Sequence, residues 1–167
     1  PLPRPFTGNF NSLSSEMKIG DARAISRNAF KEYLQGPFSM DMPLEGFLSS
    51  NYGVRKDPFT KEQRHHKGID IAAPEGSNIK AAAEGKVTFS GWKPGYGNMV
   101  IIEHRDGYET RYAHNSDNKV RKGDIVKSGQ VVAEVGQTGR ATGAHLHFEI
   151  RKDGHDIAPY CMISCGD

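Results

Sequence analysis

The chain has 167 residues, 36% of them hydrophobic and 25% charged, with a formal net charge of +2. That length builds one domain with room for an extension, and a charge so near zero leaves no electrostatic footprint for nucleic acid. There is no apolar run of the roughly 18 residues that a membrane span requires.

Nineteen glycines among short apolar runs read as many strands joined by tight turns. The sequence starts at Pro1 with no recognisable signal peptide. It therefore reads as a processed or excised piece, with any export signal or anchor expected upstream.

Residues 1–43 are expected to form an N-terminal extension. Pro1 to Ser15 is rich in Pro, Ser and Asn and reads as extended. Asp21 to Gln35 is predicted to be a helix. Asp21 caps it, Ala22, Ile25, Ala29, Phe30, Tyr33 and Leu34 form its apolar stripe, and Gly36 ends it. Pro37 and Pro43 then mark a connecting loop.

From Leu44 onward the pattern is β. Residues 44–167 are predicted to form a mainly β, antiparallel domain. Its strands are expected at 47–52, 68–72, 78–83, 85–90, 99–104, 108–114, 131–135 and 145–150. Arg55 to Pro58 reads as a turn, and Asp106-Gly107 as a two-residue hairpin. Alternation along 108–114 places Tyr108, Thr110, Tyr112 and His114 on one face. Near the C-terminus, Cys161 and Cys165 are expected to pair as a disulfide in an oxidising compartment.

The chemistry concentrates in His145-Leu146-His147-Phe148-Glu149-Ile150. A strand sends alternate residues to opposite faces. Leu146, Phe148 and Ile150 make a core face, and His145, His147 and Glu149 share the other. The two imidazoles then stand about 7 Å apart, two strand rises of roughly 3.3 Å. One can hold a metal while the other reaches a metal-activated water, and the pattern does not say which.

Upstream, Asp70 lies opposite Ile69 and Ile71 on a short strand, with His66 four residues before it. Gly68 lets the chain bend so that His66 and Asp70 converge. It also argues against a helical His-Glu-x-x-His arrangement. His65 is a rival for His66, but adjacent loop residues do not both point inward. Two imidazoles, one carboxylate and an open fourth position form the donor set of catalytic Zn²⁺. Oxygen-seeking Mg²⁺ and Ca²⁺ do not select imidazoles.

His66-Lys67-Gly68-Ile69-Asp70, Tyr112-Ala113-His114 and His145-Leu146-His147-Phe148-Glu149 occur in this order. Ser50 to Arg55, Ala72 to Gly76, Gly95 to Asn98 and Thr138 to Gly143 accompany them. Over residues 44–158 the chain resembles the lysostaphin/LytM-type zinc metalloendopeptidases, which cut peptidoglycan peptides.

The resemblance implies one Zn²⁺ held by His66, Asp70 and His147, with His114 and His145 as catalytic histidines that are not ligands. It also implies a β-sheet groove walled by loops, a peptidoglycan peptide as substrate, and a place in the bacterial envelope, periplasmic or secreted. His145 is expected to take a proton from the activated water. His114 stabilises the oxyanion or assists that transfer.

Other residues carry two readings each. Glu149 supports a ligand or sits on a solvated edge. Tyr112 assists at the site or is a buried structural tyrosine. Trp92 and Tyr96 line a groove or cover the core. Arg55 pairs a carboxylate near the cleft or is a surface charge. Lys93, Arg140 and Arg151 are candidates to attract an acidic polymer, and His104 and His155 are expected at the surface.

The favoured bond is the D-Ala–diaminopimelate cross-link, ahead of a Gly–Gly bridge. The alternative function is an inactive module of the same fold that binds cell wall or activates an amidase. The presence of His66, Asp70, His114, His145 and His147 together favours the enzyme.

Overall fold

Alternating apolar residues and frequent turns produce a chain of short strands. They are β1 (Phe47–Ser50), β2 (Gly53–Lys56), β3 (Gln63–His66), β4 (Ile69–Ala72), β5 (Asn78–Lys80) and β6 (Gly85–Lys93). There follow β7 (Gly97–Glu103), β8 (Tyr108–Asn118), β9 (Ile125–Val126), β10 (Val131–Val135), β11 (His145–Lys152) and β12 (His155–Ile157). The structure is a computed structural model that describes residues 38–163. The predicted helix at 21–35 and Cys165, expected to pair with Cys161, lie outside the described residues. The chain divides into two units, Pro1–Phe38 and Ser39–Asp167, and the strands belong to the second.

The main sheet runs β1-β4-β11-β8-β7-β6-β9, with β10 joining β8 to β5 and β12 beside β11. β2 and β3 form a separate two-stranded hairpin. The named pairings are antiparallel, so the fold is mainly antiparallel β, as the residue pattern predicts. Among the described residues, no helix is long and apolar enough to cross a membrane.

The strand β11 sits inside the sheet and sorts its side chains as alternation requires. Leu146 lies opposite Ile71, and Phe148 lies opposite both Ile69 and Tyr112. These residues are fully or almost fully buried, together with Val100, Ile102 and Ile150. Each such side chain contributes roughly 1.5–3 kcal/mol by leaving water. On the other face His147 lies opposite Asp70 of β4 and Ala113 of β8. Residues directly opposed across a ladder share a face, so the same register that packs the core gathers the polar residues.

The expected two-residue hairpin at Asp106-Gly107 is a three-residue 3-10 turn, Arg105–Gly107, and His65 and His66 lie on β3 rather than in a loop; three further local features differ from the sequence reading. The strand expected at 47–52 is interrupted, and Arg55 and Lys56 lie on β2 rather than in a turn. The turn follows them: the Asp57 carboxylate accepts from the Phe59 and Thr60 amides at 2.8 and 3.0 Å, an Asx-type closure.

The second difference concerns β8. His114 has φ of 65°, which breaks the alternation and turns it away from the face that Tyr112 occupies. Tyr112 packs into the core with its ring 5.3 Å from Phe148. Its hydroxyl accepts from the Ala82 amide at 2.9 Å and lies 3.0 Å from the Thr110 hydroxyl. Burial raises the Tyr112 pKa to about 12. Tyr112 is the buried structural tyrosine of the two readings.

The third is His104, which is buried rather than at the surface. Its Nδ1 lies 2.7 Å from the Glu84 carbonyl and its Nε2 2.7 Å from the Thr110 hydroxyl. Burial lowers its pKa.

Candidate active site

The site is assembled from the main sheet and the β2–β3 hairpin. β11 carries His145, His147 and Glu149, β4 carries Asp70, the bulge in β8 carries His114, and β3 of the hairpin carries His66. The short link between His66 and Asp70 passes tightly against β11. A Cβ at Gly68 would overlap the Phe148 carbonyl, so glycine is what allows the two ligand candidates to come together. A second close approach serves His114. Gly97 and Gly139 pass so near one another that a Cβ on either would strike backbone. Their contact seats the Thr138 carbonyl 2.7 Å from His114 Nδ1.

Three donor atoms converge. His147 Nδ1 is 2.8 Å from Asp70 Oδ1, His66 Nε2 is 3.2 Å from the same oxygen, and the two nitrogens are 3.1 Å apart. Ligands about 2.0–2.1 Å from a tetrahedral metal are separated by about 3.3 Å, so this triangle is close to one face of a zinc tetrahedron.

The hydrogen bonds behind the triangle fix the tautomers. His66 donates Nδ1–H to the Asn51 carbonyl at 2.7 Å, which leaves Nε2 with its lone pair. His147 donates Nε2–H to Glu149 Oε1 at 3.1 Å, which leaves Nδ1 with its lone pair. Two lone pairs and a carboxylate thus face one point, and only a cation or a proton satisfies all three. The residues fit Zn²⁺.

The side chains alone show the same demand. Burial opposes charge on His147, but hydrogen bonds to Asp70 and Glu149 outweigh it and raise the His147 pKa to about 9. Burial likewise opposes charge on Asp70, and the bonds from His147 and His66 overcome it and hold its pKa down.

His145 and His114 stand beside this triangle. His145 donates Nδ1–H to the Gly143 carbonyl at 2.8 Å, and its Nε2 is 3.8 Å from Asp70 Oδ1. The His114 ring is 4.8 Å from that of His145 and 5.9 Å from that of His147. Burial, reinforced by the neighbouring His145 and His147, pushes the His114 pKa down to about 4. It is a neutral imidazole at neutral pH.

Glu149 is fully buried, so the solvated-edge reading is replaced by the supporting one. Besides His147 it accepts from the Tyr96 hydroxyl at 2.8 Å and from Arg151 Nε at 3.1 Å. Against the effect of burial, the bond and charge of His147, then Tyr96 and Arg151, lower its pKa to about 2. Tyr96, whose pKa burial and Glu149 raise to about 12, lines the cleft; Trp92 stands exposed on β6 and does not. Arg151 is turned inward onto Glu149 and is not a surface attractor.

The cleft over these residues holds about 300 Å³. Arg55, Asp57, Phe59, Tyr96, Arg140 and Thr142 line it. Arg140 bonds Asp57 at 2.9 Å and lies 4.5 Å over the Phe59 ring. This bridge joins parts of the chain far apart in sequence, and the sequence carries no signal for it. Arg55 donates to Asp70 Oδ2 at 3.2 Å. His65 is turned to Asp156 at 2.8 Å, which leaves His66 facing the ligand cluster.

The sequence model of peptidase family M23 matches residues 64–159, more than half of the chain. The DD-carboxypeptidase/endopeptidase Mpg of Neisseria meningitidis is 44% identical over 125 residues, covering 75% of this chain and 29% of the relative. The murein hydrolase activator NlpD of Escherichia coli is 41% identical over 118 residues, covering 70% of this chain and 29% of that protein. The chain therefore spans less than a third of the length of these two curated relatives.

Among solved structures, a zinc-containing peptidase from Vibrio cholerae superposes with a TM-score of 0.68 at 36% identity, covering 72% of this chain and 39% of that one. The catalytic domain of the antimicrobial peptidase lysostaphin from Staphylococcus simulans gives 0.63 at 30% identity, covering 70% and 90%. With sequence and fold in agreement over the stretch that builds the cleft, the chain belongs to peptidase family M23, of the lysostaphin/LytM type.

Proposed function

We propose that the chain is a zinc-dependent endopeptidase that hydrolyses peptide cross-links of bacterial peptidoglycan in the cell envelope, periplasmic or secreted. The observation that carries this reading is the convergence of His66 Nε2, Asp70 Oδ1 and His147 Nδ1 on one point, with two further imidazoles beside it. The same reading divides the chain into an extension, residues 1–43, and a peptidase domain, residues 44–167.

His66, Asp70 and His147 would hold one Zn²⁺. When bound, zinc lowers the pKa of a water to about 7 and polarises the scissile carbonyl. The rest falls to the protein. His145, with Nδ1–H tied to Gly143, presents Nε2 as the base that takes the water's proton and returns it to the leaving amine. His114 is neutral and spends its only N–H on the Thr138 carbonyl. It has no donor left for an oxyanion, so of its two expected roles the proton-transfer one fits: its Nε2 accepts from the attacking water and orients it. Glu149 keeps His147 in the tautomer that frees Nδ1.

Similarity to a DD-carboxypeptidase/endopeptidase supports the D-Ala–diaminopimelate bond as the target. The second reading, a module that activates an amidase, is favoured by the similarity to NlpD. It would leave the five site residues without a task.

Purified sacculi separate the two. The full chain should release muropeptides whose new ends lie at the D-Ala–diaminopimelate bond, and a chelator should stop release until zinc is restored. A chain that cleaves nothing alone but stimulates an amidase on the same sacculi would establish the activator reading instead.

A further inference from the structure

We propose that Arg55 is a positioning residue: it holds Oδ2 of Asp70 so that Oδ1 alone is presented to the two histidines. The inference rests on the zinc site proposed above and adds a residue that sets its geometry.

The carboxylate of Asp70 is divided between two tasks. Oδ1 lies 2.8 Å from His147 Nδ1 and 3.2 Å from His66 Nε2. Oδ2 accepts from Arg55 Nη2 at 3.2 Å. A free carboxylate offers either oxygen, or both, to a cation; a guanidinium on one oxygen removes that choice. The other two ligands are braced in the same manner, His66 by the Asn51 carbonyl and His147 by Glu149. Arg55 completes the set.

The bond also crosses a structural gap. Arg55 lies on β2, directly opposite Arg64 of β3, the strand that ends in His66. The β2–β3 hairpin shares no ladder with the main sheet, while Asp70 lies on β4 within that sheet. The Arg55–Asp70 contact therefore ties the element bearing one ligand to the element bearing another. Its effect falls on the spacing of His66 Nε2 and Asp70 Oδ1.

Charge alone predicts the opposite of positioning. A guanidinium beside a dication repels it, so removing that positive charge should tighten metal binding. If Arg55 positions Asp70, its removal should weaken binding in spite of the gain in electrostatics. Loss of a group that orients a metal ligand typically costs about 10–100-fold in metal affinity. Arg55→Lys keeps the charge and loses the planar fork, so it isolates geometry.

The experiment is zinc affinity of the full chain at neutral pH, measured by competition with a chromophoric chelator, with circular dichroism as the folding control. Arg55→Gln should bind zinc about 10–100-fold more weakly. Arg55→Lys should fall between Arg55→Gln and the unaltered chain. Cobalt-substituted protein should show altered visible absorption in Arg55→Gln and partial recovery in Arg55→Lys.

Arg64→Gln is the control, because it removes a cation that faces Asp57 at 3.6 Å rather than Asp70; it should bind zinc as the unaltered chain does. Arg55→Gln binding zinc as tightly as the unaltered chain, or more tightly, would overturn the inference. Should Arg55→Gln fail to fold, Arg55→Lys decides: several-fold weaker zinc supports positioning, and unchanged affinity overturns it. An unaltered chain that binds no zinc would defeat the metal-site reading itself, and Arg55's role with it.

Discussion

Glu149→Gln preserves the shape of the side chain and removes the charge on which His147, Tyr96 and Arg151 converge. The structure sets the size of the effect. Glu149 is fully buried, and its neighbours bring its pKa from 4.5 to about 2. At about 1.36 kcal/mol for each tenfold change in proton affinity, that is about 3 kcal/mol. Unpairing a buried ion pair costs roughly 3–5 kcal/mol, which is the same scale.

The sign follows from linkage. A depressed carboxylate pKa gives stability that is present above the unfolded value of 4.5 and lost as pH falls towards about 2. In chelator-treated protein at pH 7, Glu149→Gln should therefore be about 3 kcal/mol less stable than the unaltered chain. For a chain of this size, that is a drop in Tm of about 6–12 °C. The gap should close as pH is lowered below about 4.5, because the protonated carboxyl and the amide become equivalent. Denaturant unfolding at a series of pH values measures it. A gap under about 1 kcal/mol at pH 7, or one that persists undiminished in acid, would refute the reasoning, since the stability would then not come from the ionised carboxylate.

Tyr112→Phe strips the acceptor from the buried Ala82 amide and should cost about 1–3 kcal/mol; calorimetry should show this with zinc affinity unchanged, because Tyr112 faces the core. Gly68→Ala places a methyl group against the Phe148 carbonyl; overpacking of about 1–3 kcal/mol should appear in thermal unfolding together with weakened zinc binding, whereas an unchanged metal affinity would show that the His66–Asp70 link has slack. Because the His147 pKa is raised to about 9, the metal-free site carries a proton at pH 7 that zinc must displace. Titration calorimetry in buffers of different ionisation enthalpy should detect about one proton released at pH 7 and almost none well above pH 9.

The strand at 145–150 was legible because alternation alone sorts Leu146, Phe148 and Ile150 from His145, His147 and Glu149, and antiparallel register then carries Asp70 to the same face. What alternation misreads is a residue with unusual backbone. His114 reaches the cleft because its φ is 65°, and regular strand geometry would have placed it with Tyr112. His104 reads as a surface residue and Arg151 as a candidate to attract an acidic polymer because their partners, Thr110 and the Glu84 carbonyl for one and Glu149 for the other, depend on register and turn geometry that composition does not carry. Arg140 on Asp57 and Arg55 on Asp70 are tertiary contacts between separate elements. The sequence reading offers Arg55 a carboxylate near the cleft without naming it, and nothing local in the sequence encodes the Arg140 contact.

The most direct test of the central claim compares the two histidines of β11 by zinc content and cleavage of sacculi, with circular dichroism as the folding control. His147→Ala removes one of three donor atoms, so zinc and activity should be lost together. His145→Ala leaves His66, Asp70 and His147 intact, so zinc should remain while cleavage falls by about 10²–10⁴-fold, the usual contribution of a general base. If His145→Ala loses zinc while His147→Ala keeps it, the assignment of ligand and base is reversed; if both retain full activity, the zinc-peptidase account is wrong.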